Sequence, residues 1–141
     1  MNKVEQFLSS RSVVLTRGGQ TVYESTDSGI KPLVTAIDSG ADYSGCDAAD
    51  RIVGKAAAYL YLLLRVKRVC ACVMTFAAKN ILTENGIECD ADTFAENIVN
   101  RKGDGLCPME TAVANADNPN AALSAIRDKI KHMQAANADK K

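Results

Sequence analysis

A chain of 141 residues with 17 basic and 17 acidic side chains has the size of one domain and no excess charge for binding nucleic acid. Its 47% hydrophobic and 24% charged residues are typical of a globular domain with a substantial core, and no acidic tail is present that would stay unfolded. Three Phe, four Tyr and no Trp leave few rings on which single strands would stack, so we expect no nucleic-acid partner.

The N-terminus and the cysteines indicate the compartment. Residues 1–8 lack the apolar core of a signal peptide, and the longest apolar run, residues 56–64, is far shorter than the ~20 residues that a bilayer requires. The cysteines are odd in number and follow no spacing of a secreted scaffold: Cys46, Cys70, Cys72, Cys89 and Cys107. We therefore predict a cytoplasmic protein with reduced thiols and no membrane partner.

The first forty residues predict a helix, a hairpin and a second helix. Residues 3–10 form a short helix with apolar side chains on one face. Two β-branched stretches, 12–16 and 21–25, are joined through Gly-Gly and therefore predict an antiparallel hairpin. A further short helix is expected over residues 30–39.

The strongest predicted helix covers residues 47–65. Apolar residues recur at helical spacing from Ile52 to Leu64, which is typical of a largely buried helix. Ser44 or Asp47 would cap its start, and Arg65, Lys67 and Arg68 would complement its negative end.

The second half of the chain predicts alternating strands and helices. Strands are expected over 69–74, 87–93 and, briefly, 97–100, and helices over 76–84, 108–114 and from 119 onwards. Cys70 and Cys72 would share one face of the first of these strands as buried small hydrophobes. We predict one α/β domain over residues 1–134, with a mixed sheet sandwiched by helices, and a polar tail over 135–141.

Two stretches carry a family resemblance. Residues 50–58 (DRIVGKAAA) and 100–110 (NRKGDGLCPME) resemble the two signatures of domain-of-unknown-function family 1893, and the resemblance covers nearly the whole chain. It implies a cytidine-deaminase-like fold, a three-layer sandwich whose mixed five-stranded sheet has helices on both faces. The resemblance implies no established activity.

The chain departs from the zinc deaminases that share this fold. Those enzymes place His or Cys, one residue and Glu at the start of one helix, and Pro-Cys-two residues-Cys at the next. Here the corresponding stretches are Cys46-Asp47-Ala48, which lacks the Glu, and Thr75-Phe76-Ala77, which lacks cysteine. Because a catalytic zinc ion needs about three protein ligands and the one histidine, His132, is in the last helix, we expect no metal and no other cofactor.

Cys107 is the candidate at the centre of a site, and it has two interpretations. In the structural one, Cys107, Pro108 and Glu110 are ordinary helix-start residues. In the functional one, a Cys107 thiolate is stabilised by the helix start, while Gly103 and Gly105 let backbone amides approach an anion. No histidine is placed to form a Cys–His pair, so a protease-like mechanism is not expected.

The remaining candidate residues also have a structural and a functional interpretation each. Asp47 and Asp50 either complement the helix dipole or face the cleft of Cys107, because loops at the carboxyl ends of strands converge. Lys55 either extends to the surface or enters the cleft as a cation. Asn100 and Arg101 either bind phosphate or carboxylate or are solvated loop residues.

We therefore carry two functions forward. The first is a small-molecule-binding protein or enzyme with Cys107, Asp50 and Asp47 as catalytic residues. Its unidentified, anionic ligand would be held by the remaining candidates: Lys55, Cys46, Asn100, Arg101, Gly103, Gly105 and Glu110. The alternative is a non-catalytic module for oligomerisation or partner binding, and a homo-oligomer is compatible with either.

Overall fold

A computed structural model describes residues 3–27, 29–99, 103, 105 and 107–139, with side chains through residue 134. Six helices and five strands follow one another in the order α1 (Lys3–Leu8), β1 (Val13–Arg17), β2 (Gln20–Ser25), α2 (Lys31–Asp38), β3 (Asp47–Val53), α3 (Lys55–Leu64), β4 (Arg68–Thr75), α4 (Phe76–Glu84), β5 (Glu88–Ala95), α5 (Pro108–Ala112) and α6 (Pro119–Asp139). The predicted hairpin is confirmed, and so is the helix over 76–84.

The five strands form one mixed sheet in the order β2-β1-β3-β4-β5. Strand β1 is antiparallel to both β2 and β3, whereas β3, β4 and β5 are parallel and are joined through α3 and α4. The predicted α/β fold with a five-stranded mixed sheet between helices is therefore confirmed. The likeness to cytidine deaminases stays a prediction.

The two faces of the sheet are covered unequally. The main core lies on the face where α3 packs against α2, α4 and α6, and its largest buried side chains include Tyr61, Leu60 and Leu15. The opposite face is crossed by the six-residue helix α1 alone among the described helices, through contacts of Leu8 with Val14 and Ala49. A short helix cannot cover a whole sheet face, so part of this face remains open beside α1.

The predicted helix over residues 47–65 is wrong in its first half. Residues 47–53 form strand β3, Gly54 follows, and α3 begins at Lys55. Strand β3 is central and has buried residues on both faces, among them Ala48 and Ala49, so its apolar residues do not alternate with polar ones. Ile52 and Val53 therefore matched the apolar spacing of helix α3, which begins only at Lys55. Asp47 and Asp50 are strand residues, so they do not complement a helix dipole.

One smaller prediction also differs from the structure. Of the strand predicted over 97–100, the described residues 97–99 are not part of the sheet and Val99 makes only an isolated bridge, while Asn100 lies outside the described residues. Helix α6 runs through Asp139, and the domain boundary at residue 134 stays a prediction. Of the helices described, none combines the length and apolar character needed to cross a bilayer.

Candidate functional site

The two signature stretches meet at the start of helix α3. The carboxylate of Glu110, in α5, accepts hydrogen bonds from the backbone amides of Lys55 at 2.8 Å and Ala56 at 2.9 Å. These amides belong to the first turn of α3, where no partner exists within the helix and the helix dipole is positive. Glu110, predicted to bind a ligand, therefore caps α3 from a distant part of the chain.

The carboxylate of Glu110 lies so close to the start of α3 that position 54 has room only for glycine. A Cβ at this position would collide with Oε1 of Glu110 and would lie 2.5 Å from Cδ1 of Ile98. The backbone at Gly54 has a φ of −103°, which any residue adopts, so the constraint is space and not conformation. The glycine of the first signature thus makes room for the glutamate of the second.

Lys55 and Tyr59 extend the same attachment along α3. Nζ of Lys55 donates to the carbonyl oxygen of Ala114 at 3.0 Å, and the Tyr59 hydroxyl donates to that of Ala116 at 3.3 Å. Both acceptors lie between α5 and α6. The ammonium group of Lys55, predicted to enter a cleft, is engaged in fastening this segment to α3.

Cys107 precedes α5 as its N-cap residue, and its thiol makes no capping hydrogen bond. Its backbone amide donates to the carbonyl oxygen of Ile98 at 2.9 Å, and the side chain is partly exposed. Gly103 and Gly105 are exposed, whereas Asn100 and Arg101 lie outside the described residues. The structure thus brings Cys107 and Glu110 onto one short segment, but Glu110 is turned to α3.

Asp50 lies in the core between the sheet and α3. It is 6% exposed, and its Oδ2 accepts a hydrogen bond from the Tyr61 hydroxyl at 2.7 Å. Burial raises the pKa of Asp50 to about 7, against the smaller lowering effects of Tyr61 and neighbouring backbone amides. Burial, with Asp50 beside it, also raises the pKa of Tyr61 well above 10. Asp50 is therefore a core carboxyl group with a dedicated donor.

Cys46, the last of the predicted binding residues before β3, is fully buried in the main core. Burial raises the pKa of its thiol, so the neutral form is favoured. Its position gives it a packing role.

Asp47 is separated from all of these residues. It begins β3, whereas Lys55 follows the other end of the strand, so about seven residues at ~3.3 Å each lie between them. It also lies on the α1 face of the sheet, opposite to Asp50. Asp47, Asp50 and Cys107 therefore do not line one cleft.

Asp47 lines an open groove between α1 and the sheet, which we call the α1 groove. Its volume is about 280 Å³, and its walls and floor are formed by Lys3, Val4, Phe7, Val14, Thr16, Asp47, Ala48, Ala49, Arg68 and Cys70. Oδ1 of Asp47 is buried there and has no hydrogen-bond partner among the described residues. Such an atom is rare in native proteins and costs about 1–3 kcal/mol when no donor satisfies it.

The strand register places a polar row beside an apolar one in the groove. Thr16, Asp47 and Arg68 are Cα partners across β1, β3 and β4, and Val14, Ala49 and Cys70 form the next row on the same face. The guanidinium of Arg68 lies beside Cys70, and the pKa of Arg68 is raised, chiefly by its interaction and hydrogen bond with that sulfur and more weakly by Glu88 and Asp47. The groove therefore offers an acceptor, a cation and an apolar floor.

Comparison with known proteins assigns the family. The family described as Domain of unknown function (DUF1893) matches residues 4–130. The chain belongs to the DUF1893 family. It is similar to the crystal structure of a DUF1893 family protein from Thermotoga maritima, with 27% identity and a TM-score of 0.78 over 92% of this chain and 85% of that one. No curated protein matches the chain.

The start of α3 changes the comparison with zinc deaminases. Because the helix after β3 begins at Lys55, the residues at its start in this DUF1893 chain are Lys55-Ala56-Ala57, not Cys46-Asp47-Ala48 as predicted. Neither these residues nor Thr75-Phe76-Ala77 at the next helix supplies a His or Cys ligand. Across the part of the chain that the structure describes, no three His, Cys, Asp or Glu side chains are grouped to hold a metal ion.

Sequence reasoning missed three residues of the α1 groove, namely Lys3, Arg68 and Cys70. Arg68 was assigned to the end of a helix, yet it is the first residue of β4. Cys70 and Cys72 do share one face, but both are partly exposed and not buried, since α1 is short. Lys3 and Arg68 are 65 positions apart, and only knowledge of where α1 docks on the sheet places them together.

Proposed function

We propose that this protein binds a small polar molecule in the α1 groove, with Asp47 as the acceptor that orients it. The observation that carries the proposal is the carboxylate of Asp47, which lines the groove and whose buried Oδ1 lacks a donor among the described residues. A molecule bound in the groove would donate an N–H or O–H group to the part of this carboxylate that faces the groove.

The shape and lining of the groove support a ligand of metabolite size. A volume of about 280 Å³ is near the lower end of the ~300–1,000 Å³ that is usual for ligand pockets. Ala49 and Cys70 give an apolar floor, and the half-exposed Phe7 adds an aromatic wall. A few polar groups on an apolar surface are the usual composition of a site that fixes a ligand in one orientation.

Binding, and not catalysis at Cys107, is the function that the geometry favours. The second signature already has a structural task, because Glu110 caps α3 and Lys55 fastens the segment that follows α5. The predicted cleft around Cys107 stays a prediction, and so does the alternative of an assembly or partner-binding module.

The test is to map ligand contacts on the protein. We would record ¹⁵N–¹H spectra of the full chain with a library of small polar metabolites and follow the backbone amides. The proposal expects at least one compound to shift Val4, Ala49 and Cys70, to lose that effect in Asp47→Asn, and to keep it in Asp128→Asn, a matched change on the exposed side of α6.

Two results would contradict the proposal. Shifts confined to Lys55, Cys107 and their neighbours would place the site at the start of α5 instead. Unchanged spectra throughout the library would remove small-molecule binding as the function.

A further inference from the structure

Resting on the proposed function, we infer that the ligand of the α1 groove is an acidic amino acid, a zwitterion with one ammonium group and two carboxylates. Three charged side chains line the groove: the anion Asp47 and the cations Lys3 and Arg68. A molecule with one positive and two negative groups complements this set, with the ammonium donating to Asp47 and the carboxylates accepting from Arg68 and Lys3.

Asp47 and Arg68 carry opposite charges on neighbouring strands without forming an ion pair with each other. Asp47 and Arg68 are Cα partners on adjacent parallel strands, which lie about 4.8 Å apart. Opposite charges so placed commonly pair, yet the ion pairs between described residues are Arg11 with Glu24 and Arg127 with Asp38. Among the described residues no ion pair joins Asp47 to Arg68, whose guanidinium is beside Cys70, so a ligand on the groove floor can pair with both charges.

The positions of the third charge and of the apolar floor set the dimensions of the ligand. Lys3 lies on α1 and Arg68 on β4, so the two cations line the groove from different elements and one ligand would reach both with two anionic groups joined by a short chain. Ala49, which is 9% exposed, and the partly exposed Cys70 lie beneath and would contact methylene groups. An aliphatic chain of a few carbons with charged ends meets these conditions and fits within about 280 Å³.

The experiment uses three compounds that differ by one charged group. L-Glutamate has both carboxylates and the ammonium, glutarate lacks the ammonium, and 4-aminobutyrate lacks one carboxylate. At matched ionic strength we would measure the iodoacetamide alkylation rate of Cys70 by mass spectrometry, with Cys89, which lies near Thr83 and Lys79 and away from the groove, as the internal control. The amide shift of Ala49 in the same samples gives a second readout should Cys70 react slowly.

We expect L-glutamate to slow alkylation of Cys70 and not of Cys89, with an affinity about tenfold higher than that of glutarate, the effect of one charge-assisted hydrogen bond. Asp47→Asn should remove the difference between glutamate and glutarate. Arg68→Gln should weaken the binding of glutamate and of glutarate alike, since the carboxylates of both compounds pair with the cations.

The experiment distinguishes a wrong ligand class from the absence of any binding site in the α1 groove. Equal binding of glutarate and glutamate would make the ligand a simple dianion and overturn the zwitterion, while the groove remains a site. If none of the three compounds binds although the metabolite library shifts Ala49, the ligand class is wrong and the function stands. If neither the series nor the library shifts Ala49, both proposals fail.

Discussion

The carboxylate of Glu110 accepts a hydrogen bond from the backbone amide of Lys55 at 2.8 Å, joining two signature stretches that are far apart in the chain. Its second oxygen takes the next amide, so one side chain satisfies two free donors of α3. This contact gives the two signatures one structural role, because Gly54 makes room for Glu110 and Glu110 caps the start of α3.

Removal of the cap should destabilise the protein. Glu110→Ala leaves two amides of α3 without their acceptor, and we expect a loss of about 2 kcal/mol in the free energy of unfolding. Urea denaturation of Glu110→Ala and of Glu84→Ala, an exposed glutamate at the end of α4, provides the measurement and its control. Equal stability of the two variants would show that the cap contributes nothing.

Gly54 should show strong coupling to Glu110. Gly54→Ala introduces a methyl group against Oε1 of Glu110 and Cδ1 of Ile98, and overpacking of this kind costs about 1–3 kcal/mol. In a Glu110→Ala background part of the obstruction is gone, so the same substitution should cost less. A double-mutant cycle by urea denaturation measures the difference. Strictly additive effects would mean that the glycine is needed for some other reason.

Asp50 should make stability fall as pH rises. The pKa of Asp50 is raised to about 7 in the folded protein, above the ~3.9 of an unfolded aspartate, so the folded state binds its proton more tightly. Its stabilising contribution is complete below pH ~4, is lost as pH rises towards 7, and changes little above that. At about 1.4 kcal/mol per pKa unit, the change between pH 5 and 8 covers nearly two units and should be about 2.6 kcal/mol.

The contribution of Asp50 is isolated by comparing variants. Asp50→Asn should lack this part of the pH dependence, and its advantage over the unmodified protein should grow from pH 5 to pH 8. Tyr61→Phe removes the donor that favours the carboxylate, so the pKa of Asp50 should rise further and the loss should extend to higher pH. Identical pH profiles for all three proteins would contradict the assignment.

The cysteines should differ in reactivity according to their surroundings. Burial raises the pKa of the Cys46 and Cys72 thiols, which lowers the thiolate fraction at a given pH. We expect iodoacetamide to modify the partly exposed Cys70 and Cys107 first and Cys46 last in the folded protein, as read by mass spectrometry. Cys107→Ser should retain or slightly raise stability, because a hydroxyl is a better helix cap than a thiol.

A different pattern of reactivity would restore the sequence-based site. If Cys107 reacts far faster than Cys70 at pH 6, the start of α5 activates its thiol and the cleft predicted there regains support. If instead Cys107→Ser costs more than about 1 kcal/mol, the thiol contributes to packing.

Local patterns predicted most of the fold. The Gly-Gly turn between β-branched stretches identified the hairpin, and the spacing over 76–84 identified α4. Strand β3 was not predicted, because Ile52 and Val53 match the helical period of the residues that follow Gly54. A central strand buried on both faces lacks the alternation that would have separated it from a helix.

The candidate site was harder to predict because it depends on which face each residue occupies. Asp47 was identified as chemically interesting, but the helix assignment put it beside Asp50, whereas the strand places the two on opposite faces. The pairing of Asp47 with Arg68 in register follows from a crossover that joins two parallel strands. Helix α1 docks above them through Leu8 and through Asp92 of β5, which accepts a hydrogen bond from the amide of Val4 at 3.2 Å.

The most direct test of the α1 groove is the free energy of unfolding of Asp47→Asn in ligand-free protein, measured in urea beside Asp128→Asn. A carboxylate oxygen kept without a donor for the sake of a ligand is a cost to the empty protein, so we expect Asp47→Asn to be about 1 kcal/mol more stable than the unmodified chain, with Asp128→Asn unchanged. A loss of stability of the same size in Asp47→Asn would show that the carboxylate serves the fold, and it would contradict the assignment of the groove as a binding site.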